Sequence, residues 1–394
     1  MGIVARHMRV AAAATLLMSA SLSGALAQSV EAAAERLKTI ATEQGVTLEW
    51  DSVDSSGSDG TISGVRVGQG DDLVPIGDLY LEGVGESDDG YTIATLTMDD
   101  YFIGDPSGSV RIEGIEMTGV LLPNDNVIDN YGGSIFYETA DIDRIDVTVG
   151  GKTVFEMTSL YSVISQSDTA GKPMEFEGAA EGFMVDLSMI EEPDQRAMLD
   201  ALGYDKLEGF MSMSGSWQPT DGRLEVAEYD FTVVNAGSLG LSLDLGGYTP
   251  TLIASLREMQ KQMAANPDAD PSTQGLAILG LLQQMTFHSA EISFSDDSLT
   301  NKILEFVARQ QGMSASDIRN QAKAVLPFAL AQLNNPEFTT MVTQAVSAYL
   351  DDPQVLRVRA EPAAPAPFAV IMASGMTNPV DLIKTLGVTV SAND

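Results

Sequence analysis

The sequence predicts an α+β protein in which a long antiparallel β-meander curls and is covered by helices from the C-terminal third. Apolar and polar residues alternate with a period of two from about residue 61 to residue 245, as in strands that bury one face. Turn sequences such as Gly150-Gly151 and Asp221-Gly222 separate these runs and favour hairpins between neighbouring strands. After residue 249 the apolar residues recur at helical spacing instead.

The N-terminal part of the chain predicts one helix followed by a succession of strands. Glu31–Gln44 has the apolar spacing of an amphipathic helix that ends at Gly45, and Val46–Trp50 alternates as a strand. Residues 51–60, rich in Ser, Asp and Gly, predict a polar loop. A helix at Glu192–Ala201 interrupts the meander. The other strands are predicted at Thr61–Val67, Ile76–Val84, Tyr91–Met98, Ser109–Leu121, Ile142–Val149, Thr153–Ile164, Phe183–Ile190, Gly209–Trp217, Leu224–Val234 and Ser238–Leu245.

The C-terminal part predicts helices with single strands between them. The helices are predicted at Thr249–Met263, Ser272–Met285, Ser298–Gln311, Ser316–Leu333, Asn335–Leu350 and Pro379–Thr385, and the strands at Phe287–Ser295, Val355–Ala360 and Val388–Ser391. Pro362–Pro367 predicts a stiff linker. We expect the strands of this part to extend the same sheet. The predicted division is therefore a signal peptide at 1–27, a helix and meander at 28–248, and a helix-rich region at 249–394.

The first residues have the organisation of a secretory signal peptide. Arg6 and Arg9 precede an apolar run, Val10–Leu26, and Ala25-Leu26-Ala27 provides the small residues that processing requires. A retained membrane anchor is the alternative, but Ser and Gly interrupt a run that is near the lower limit for spanning a bilayer. The sequence therefore predicts an exported, periplasmic protein that is cleaved after Ala27 and has no transmembrane segment after cleavage.

The chain is strongly acidic, with 56 acidic and 21 basic side chains. Arg6 and Arg9 leave with the signal peptide, so the expected mature chain carries 19 basic side chains against 56 acidic ones, a net charge of −37. Nucleic acid is not an expected partner, because the phosphate backbone would repel such a surface. Three interpretations of the acidity stay open: adaptation to salt or solubility, binding of divalent cations, and attraction to a basic partner.

Several catalytic mechanisms are incompatible with the composition. The expected mature chain has no cysteine and one histidine, His288, so neither a thiol nucleophile nor a zinc site of histidine and cysteine can be assembled. The Gly-x-Ser-x-Gly motif of serine hydrolases and the phosphate loop are absent from the sequence. His288 alternates in phase with Ala290, Ile292 and Phe294, so we expect it on an apolar strand face rather than in a triad. No cofactor is predicted.

Paired carboxylates are the catalytic device that composition leaves open. Asp99-Asp100 and Asp296-Asp297 lie at the ends of predicted strands, where two opposed carboxylates could hydrolyse envelope polysaccharide or peptide. The same residue types are ordinary turn formers and helix caps. A carboxylate-dependent hydrolase is therefore carried as the alternative function.

Two oxygen-rich segments are candidates for calcium. Asp51, Asp54 and Asp59 belong to the predicted polar loop, and calcium takes several oxygen ligands from such groups. The segment with Asn124, Asp125, Asn126, Asp129 and Asn130 is the second candidate. Neither has the spacing of an EF-hand, and a solvated loop is the competing interpretation for each.

The apolar faces of the predicted strands favour a binding function. A sheet with one long apolar face needs a cover, and incomplete cover by the C-terminal helices would leave an apolar groove. Methionine packs adaptably, and concave apolar sites bind lipids and similar ligands. The candidate groove residues are Met211, Met213, Trp217, Leu241 and Leu243. The sequence therefore predicts a non-catalytic binding or structural protein, with an apolar or lipidic ligand or another envelope protein as its partner.

Several of these features together resemble the YdgA-like and AsmA-like families of bacterial envelope proteins. They are the exported N-terminus, the opening helix that ends at Gly45, the meander with Trp217-Gln-Pro-Thr-Asp-Gly-Arg-Leu224, the Asp297-Ser298-Leu299 start of a helix and the closing Leu386-Gly387-Val388. The chain departs from these families because its N-terminal apolar run is expected to be cleaved, whereas many members retain an N-terminal membrane helix. The resemblance implies an envelope location, a β-sheet that curls into a groove and a link to lipid, and it assigns no functional residue.

Overall fold

The structure is a computed structural model that describes residues 29–70, 72–124, 135–166, 173–265, 271–378 and 380–394. The predicted signal peptide, residues 1–27, lies outside the described residues, as does most of the second calcium candidate, from Asp125 to Asn130. Across the described ranges, no helix combines the length and the hydropathy that crossing a bilayer requires.

The described strands belong to one antiparallel sheet of 18 strands, which confirms the predicted α+β fold class with a long antiparallel sheet. The strands are β1 (Thr47–Glu49), β2 (Ser52–Ser56), β3 (Asp59–Gln69), β4 (Asp72–Glu82), β5 (Gly85–Ser87), β6 (Gly90–Met98), β7 (Tyr101–Asp105), β8 (Gly108–Pro123), β9 (Thr139–Val149), β10 (Lys152–Ser165), β11 (Met174–Asp186), β12 (Lys206–Gln218), β13 (Arg223–Val233), β14 (Gly237–Gly246), β15 (Thr286–Asp296), β16 (Val355–Ala360), β17 (Ala366–Pro367) and β18 (Val388–Ala392).

Most helices lie in the C-terminal third, as predicted. They are α1 (residues 29–43), α2 (Pro193–Leu202), α3 (Pro250–Ala265), α4 (Pro271–Leu282), α5 (Leu299–Gln311), α6 (Ala315–Leu330), α7 (Pro336–Asp351), α8 (Phe368–Thr377) and α9 (Asp381–Thr385), with a 3₁₀ turn at Ala331–Leu333. Helix α8 was not predicted, and the predicted linker Pro362–Pro367 ends in strand β17. The residues of α8 are apolar on all sides, so no amphipathic stripe marks the helix in the sequence.

The prediction of a polar loop at residues 51–60 is wrong. Strands β2 and β3 form a tight hairpin there, with Val53 opposite Ile62 and Ser56 opposite Asp59. Gly57 occupies the turn with a φ of 70°, a conformation that glycine adopts without strain. The hairpin was missed because β2 exposes alternate residues that are Ser and Asp, which also favour loops.

The described residues divide into two compact units, of which unit 1 comprises those within 29–103, 111–143 and 253–265. Helix α1 supplies the centre of its core, because Val30, Ala33, Ala34 and Ile40 are fully buried. They pack with apolar side chains of the surrounding strands, namely Leu48, Ile62, Val65, Leu79, Leu81, Val84, Ile93, Val120 and Leu122. The segment that follows the predicted cleavage site therefore becomes the central element of a hydrophobic core.

Unit 2 comprises residues 104–110, 144–252 and 270–394, and it contains a regular antiparallel meander. From β10 to β16 each strand pairs with the next one along the chain, and β16 pairs with β18. Helices α2 and α5 pack at the end of the β13–β14 hairpin, where Leu202, Tyr204 and Ala236 are buried. Helix α5 also packs against α6 through Leu304 and Ile318.

Candidate apolar ligand-binding site

The cross-strand register of unit 2 aligns apolar side chains in continuous rows on one face. In one row Met213, Tyr229, Leu241, Ile292 and Val358 lie directly opposite one another on β12 to β16. Such neighbours have Cβ atoms about 4.5–5.5 Å apart, close enough for direct contact. The row therefore forms a continuous apolar strip across these strands.

Two further rows run beside this one. The second row consists of Met211, Phe231, Leu239, Phe294 and Leu356, and the third consists of Gly215, Val226, Leu243, Ala290 and Ala360. We call the three rows together the apolar band. In these three rows, every register position from β12 to β16 carries an apolar residue or a glycine.

The central residues of the apolar band remain exposed in the structure. The exposed fractions are 46% for Leu239, 39% for Leu241, 52% for Ile292, 42% for Val358 and 36% for Met213. Isolated apolar residues at a surface are ordinary, whereas contiguous exposed apolar patches mark sites of interaction. Leu239, Leu241, Ile292 and Val358 occupy adjacent positions in two neighbouring rows, and the half-buried Tyr229 connects Met213 to them, so the five residues belong to one such patch.

Trp217 lies at one end of the apolar band and is buried, unlike the exposed residues at the centre of the band. Its side chain is 8% exposed, and its Nε1 donates a hydrogen bond of 2.7 Å to the backbone carbonyl of Tyr248. The Tyr248 ring contacts the indole edge to face, with ring centroids 6.3 Å apart. Trp217 is opposite Leu224, which is opposite Leu245, so this fourth row continues the same face.

The structure places all five residues predicted for the groove on one face of the sheet. Met213 and Leu241 are exposed there, Met211 and Leu243 are half-buried, and Trp217 is buried at the end. The prediction did not single out Ile292 and Val358, although the alternation in β15 and β16 contained the signal. Their importance depends on which positions the helices leave uncovered, and sequence alone does not show this.

Aromatic rings cover two glycine residues, Gly215 in the apolar band and Gly209 beside it. A Cβ atom added to Gly215 would overlap the ring of Phe176, and one added to Gly209 would overlap the ring of Phe183. The Phe183 ring also stacks on Phe231, with centroids 5.0 Å apart. The missing side chains therefore let the rings lie close to the sheet, and they shape the β11 side of the band.

The prediction that His288 shares the apolar face with Ala290 and Ile292 is wrong. Phe287 pairs with Leu245 and Ser289 pairs with Asp244, so a bulge leaves His288 without a residue opposite. The extra residue interrupts the period of two, and the His288 side chain turns towards polar groups. Its Nε2 atom lies 3.5 Å from Nη1 of Arg223 and 3.4 Å from Oγ1 of Thr286.

The face opposite the apolar band is polar and charged. Arg223 forms an ion pair with Asp244, and Arg357 lies 3.5 Å from the carboxylate of Glu291. A hydrogen bond with Asp230 and the negative charge of that residue raise the pKa of Glu228. The unit 2 sheet therefore separates an apolar surface from an acidic one.

An ion pair between an exposed lysine and a buried aspartate is found where the start of β10 lies beside the end of β11. Lys152 Nζ lies 2.8 Å from Oδ2 of Asp186, whose side chain is almost fully buried. Hydrogen bonds from Lys152 and from the side chain and backbone of Ser188 lower the pKa of Asp186 well below its usual range. The surrounding donors hold the ionised form of Asp186, which is a stabilising arrangement.

The carboxylates of the hydrolase alternative accept hydrogen bonds from backbone groups. Asp99 accepts from the backbone N–H of Asp78 and from the Tyr80 hydroxyl, and Asp100 accepts from the N–H of Gly114. Asp296 accepts from the N–H of Thr300 at the start of α5. Asp297 is exposed. These contacts are those of bulge-capping and helix-capping residues.

The three carboxylates of the first calcium candidate each have a different partner. Asp51 forms an ion pair of 2.8 Å with Arg66, Asp54 accepts from the Ser52 hydroxyl, and Asp59 accepts from the N–H of Gly83. In the part of the chain that the structure describes, no group of three or more Asp, Glu, His or Cys residues is arranged to hold a metal ion.

Comparison with known sequences finds a family model that matches the C-terminal part of the chain. A sequence-family model described as "Uncharacterized protein" matches residues 230–393, which run from within β13 through β18. No curated protein matches this chain. The matched segment contains Leu239, Leu241, Ile292 and Val358, so it includes most of the exposed patch of the apolar band.

Proposed function

We propose that the chain is an exported, periplasmic, non-catalytic binding protein of the bacterial envelope that holds an apolar or lipidic ligand on the apolar band. The observation that carries this proposal is the exposure of Leu239, Leu241, Ile292 and Val358 at contiguous register positions, with Met213 exposed beyond Tyr229 in the same row. A ligand with an extended apolar part, such as an acyl chain, would cover several rows at once.

The energetics favour a ligand over permanent solvation of this face. Removing an aliphatic side chain from water contributes about 1.5–3 kcal/mol when burial is complete, and a half-exposed side chain contributes a corresponding fraction. The five exposed residues together would therefore contribute several kcal/mol to the binding of a ligand that covers them. Methionine at two positions of the band suits ligands of variable shape, because its side chain adapts to them.

The sequence supports the envelope location in this proposal. A cleavable signal peptide is indicated by Arg6 and Arg9, the apolar run and Ala25-Leu26-Ala27. The sequence has no cysteine, which a lipid-anchored N-terminus and thiol chemistry would each require. The resemblance to YdgA-like and AsmA-like proteins points in the same direction. Mass spectrometry of protein released from the periplasm should give a chain that begins at Gln28.

The test of ligand binding is mass spectrometry of organic extracts from protein purified from the periplasm. We expect one class of lipid to be recovered with the wild type and to be lost from the Leu241→Asp/Ile292→Asp variant. Phe210→Asp is the matched control, because Phe210 is 46% exposed on the opposite face of β12. Equal recovery from the three proteins, or repeated recovery of no apolar compound, would refute the proposal. If an envelope protein is recovered in stoichiometric amount and no lipid is found, the partner of the apolar band is that protein and not a lipid.

A further inference from the structure

Two stretches of unit 2 are free of charged residues in a chain of which 20% of the residues are charged. Residues 271–290 and 362–380 contain no Asp, Glu, Lys or Arg, and they are the longest such stretches after the predicted signal peptide. Each contains a helix, α4 in the first and α8 in the second. Both helices thus carry apolar and small residues on all sides rather than on one stripe.

These helices are not core helices. Leu279 of α4 is 40% exposed and Val370 of α8 is 48% exposed, and no described side chain of either helix is fully buried. A Cβ atom added to Gly275 or Gly280 of α4 would meet open space. A helix that is apolar all round belongs in a protein core or in a membrane environment. The described side chains of α4 and α8 are half-buried or exposed, unlike those of a core helix.

The end of α4 and the start of α8 lie near the same end of β15. Helix α4 leads into β15, and the N–H of Phe368 at the start of α8 donates to the carbonyl of Met285 just before β15. Strand β17, which precedes α8, places Ala366 opposite Phe287. Phe287 is opposite Leu245 on the face of the apolar band. Ala366, Phe287 and Leu245 therefore connect the start of α8 to that face.

We propose that α4 and α8 dock on the surface of a phospholipid bilayer by burying Leu279 and Val370 between the headgroups. This inference rests on the proposed function, and it identifies the membrane as the source or destination of the apolar ligand. Apolar segments of 10–14 residues are too short to span a bilayer, but they have the length of interfacial segments. Helices α4 and α8 have 12 and 10 residues.

The chemistry of the helices favours a bilayer over a protein partner. Protein interfaces are enriched in arginine and have a polar rim, whereas these helices carry no charged residue. The net charge of −35 opposes approach to anionic lipid headgroups. A zwitterionic surface such as phosphatidylcholine therefore suits the acidic chain and its two uncharged helices.

The test is flotation of the full mature chain with phosphatidylcholine vesicles in a density gradient. We expect the wild type to float with the vesicles, including at high salt because the contact is apolar, and the Leu279→Asp/Val370→Asp variant to stay at the bottom. The matched control is Val74→Asp/Ile103→Asp, which places two acids at exposed aliphatic positions of unit 1, 38% and 45% exposed in the wild type. Circular dichroism checks that each variant is folded, and Leu279→Ser/Val370→Ser replaces any variant that is not.

The outcomes separate this inference from the proposed function. If the wild type carries lipid but does not float, or if both pairs of substitutions lower flotation equally, bilayer docking by α4 and α8 is overturned and ligand binding on the band stands. If the wild type floats, the helix variant does not, and no lipid is ever recovered, docking stands and the proposed ligand site fails. Flotation that requires anionic lipid would show that charged residues bind the vesicles, and it would overturn docking by the uncharged helices α4 and α8.

Discussion

Leu241 of β14 and Ile292 of β15 lie directly opposite each other, and both side chains remain exposed, by 39% and 52%. Opposed aliphatic side chains on paired strands normally shield each other under a covering layer. Here the pair lies in the middle of the apolar band, with Tyr229 on one side and Val358 on the other. A ligand that covers this pair would contact both side chains at once.

Shortening the opposed pair should weaken binding more than it changes stability. We expect Leu241→Ser and Ile292→Ser each to raise the Kd for a neutral apolar dye such as Nile red about fivefold, which corresponds to about 1 kcal/mol of lost apolar contact. The free energy of unfolding should change by no more than about 0.5 kcal/mol, because both side chains are at the surface. Dye titration and urea unfolding measure the two quantities. A Phe210→Ser control that weakens dye binding equally would show that the dye does not select the band.

Gly209 should tolerate no larger residue. A Cβ atom at this position would overlap the carbonyl oxygen of Thr232 and the ring of Phe183, and a backbone oxygen cannot move aside. We expect Gly209→Ala to lower the free energy of unfolding by about 1–3 kcal/mol, as for overpacking elsewhere. The matched control is Gly280→Ala in α4, where the methyl group meets open space and should stabilise the helix by about 0.5–1 kcal/mol. Equal stabilities of the two variants would contradict the packing described here.

Trp217→Phe should destabilise unit 2 through the loss of one buried hydrogen bond. The indole Nε1 donates to the backbone carbonyl of Tyr248, and a phenyl ring leaves that carbonyl without this donor. We expect the free energy of unfolding to fall by about 1–3 kcal/mol. Tyr248→Phe keeps the backbone acceptor and should cost less. Chemical unfolding followed by circular dichroism compares the two variants, and a larger loss for Tyr248→Phe would refute the assigned role.

Asp186→Asn should reduce the loss of stability in acid. The folded-state pKa of Asp186 is lower than its unfolded value, so its contribution is present above the unfolded pKa of about 4 and is lost as the pH falls towards the folded value. Wild-type stability should therefore fall more steeply below about pH 4 than that of the variant, which has no carboxylate to protonate. Thermal midpoints at pH 6 and pH 3 test this. Exposed Asp297→Asn is the control, and it should keep the wild-type slope.

Much of the fold could be predicted because strand alternation is a local signal. The predicted strand Ser238–Leu245 became β14, Gly237–Gly246, and the predicted helix Ser298–Gln311 became α5, Leu299–Gln311. The β2–β3 hairpin was missed because Ser and Asp favour both turns and exposed strand positions. Helix α8 was missed because it has no polar side to set a period.

The sequence predicted on which face of the sheet the candidate residues lie, but not which of them are exposed. The alternation in β12 and β14 placed Met211, Met213, Leu241 and Leu243 on one face, and the cross-strand register agrees. His288 was assigned to the wrong face because one bulge residue reverses the phase of a strand, and nothing in the sequence around it marks the bulge.

The sequence by itself determined the composition of this protein and the two faces of its strands. It contains no cysteine, one histidine beyond the predicted signal peptide and an excess of acid, and a period of two sorts residues to opposite sides of a sheet whatever lies around it. The tertiary structure alone decided that Leu241, Ile292 and Val358 stay uncovered and that the start of α8 lies beside Met285, just after α4. The physical reason is that cover depends on where helices distant in sequence pack, which no local pattern encodes.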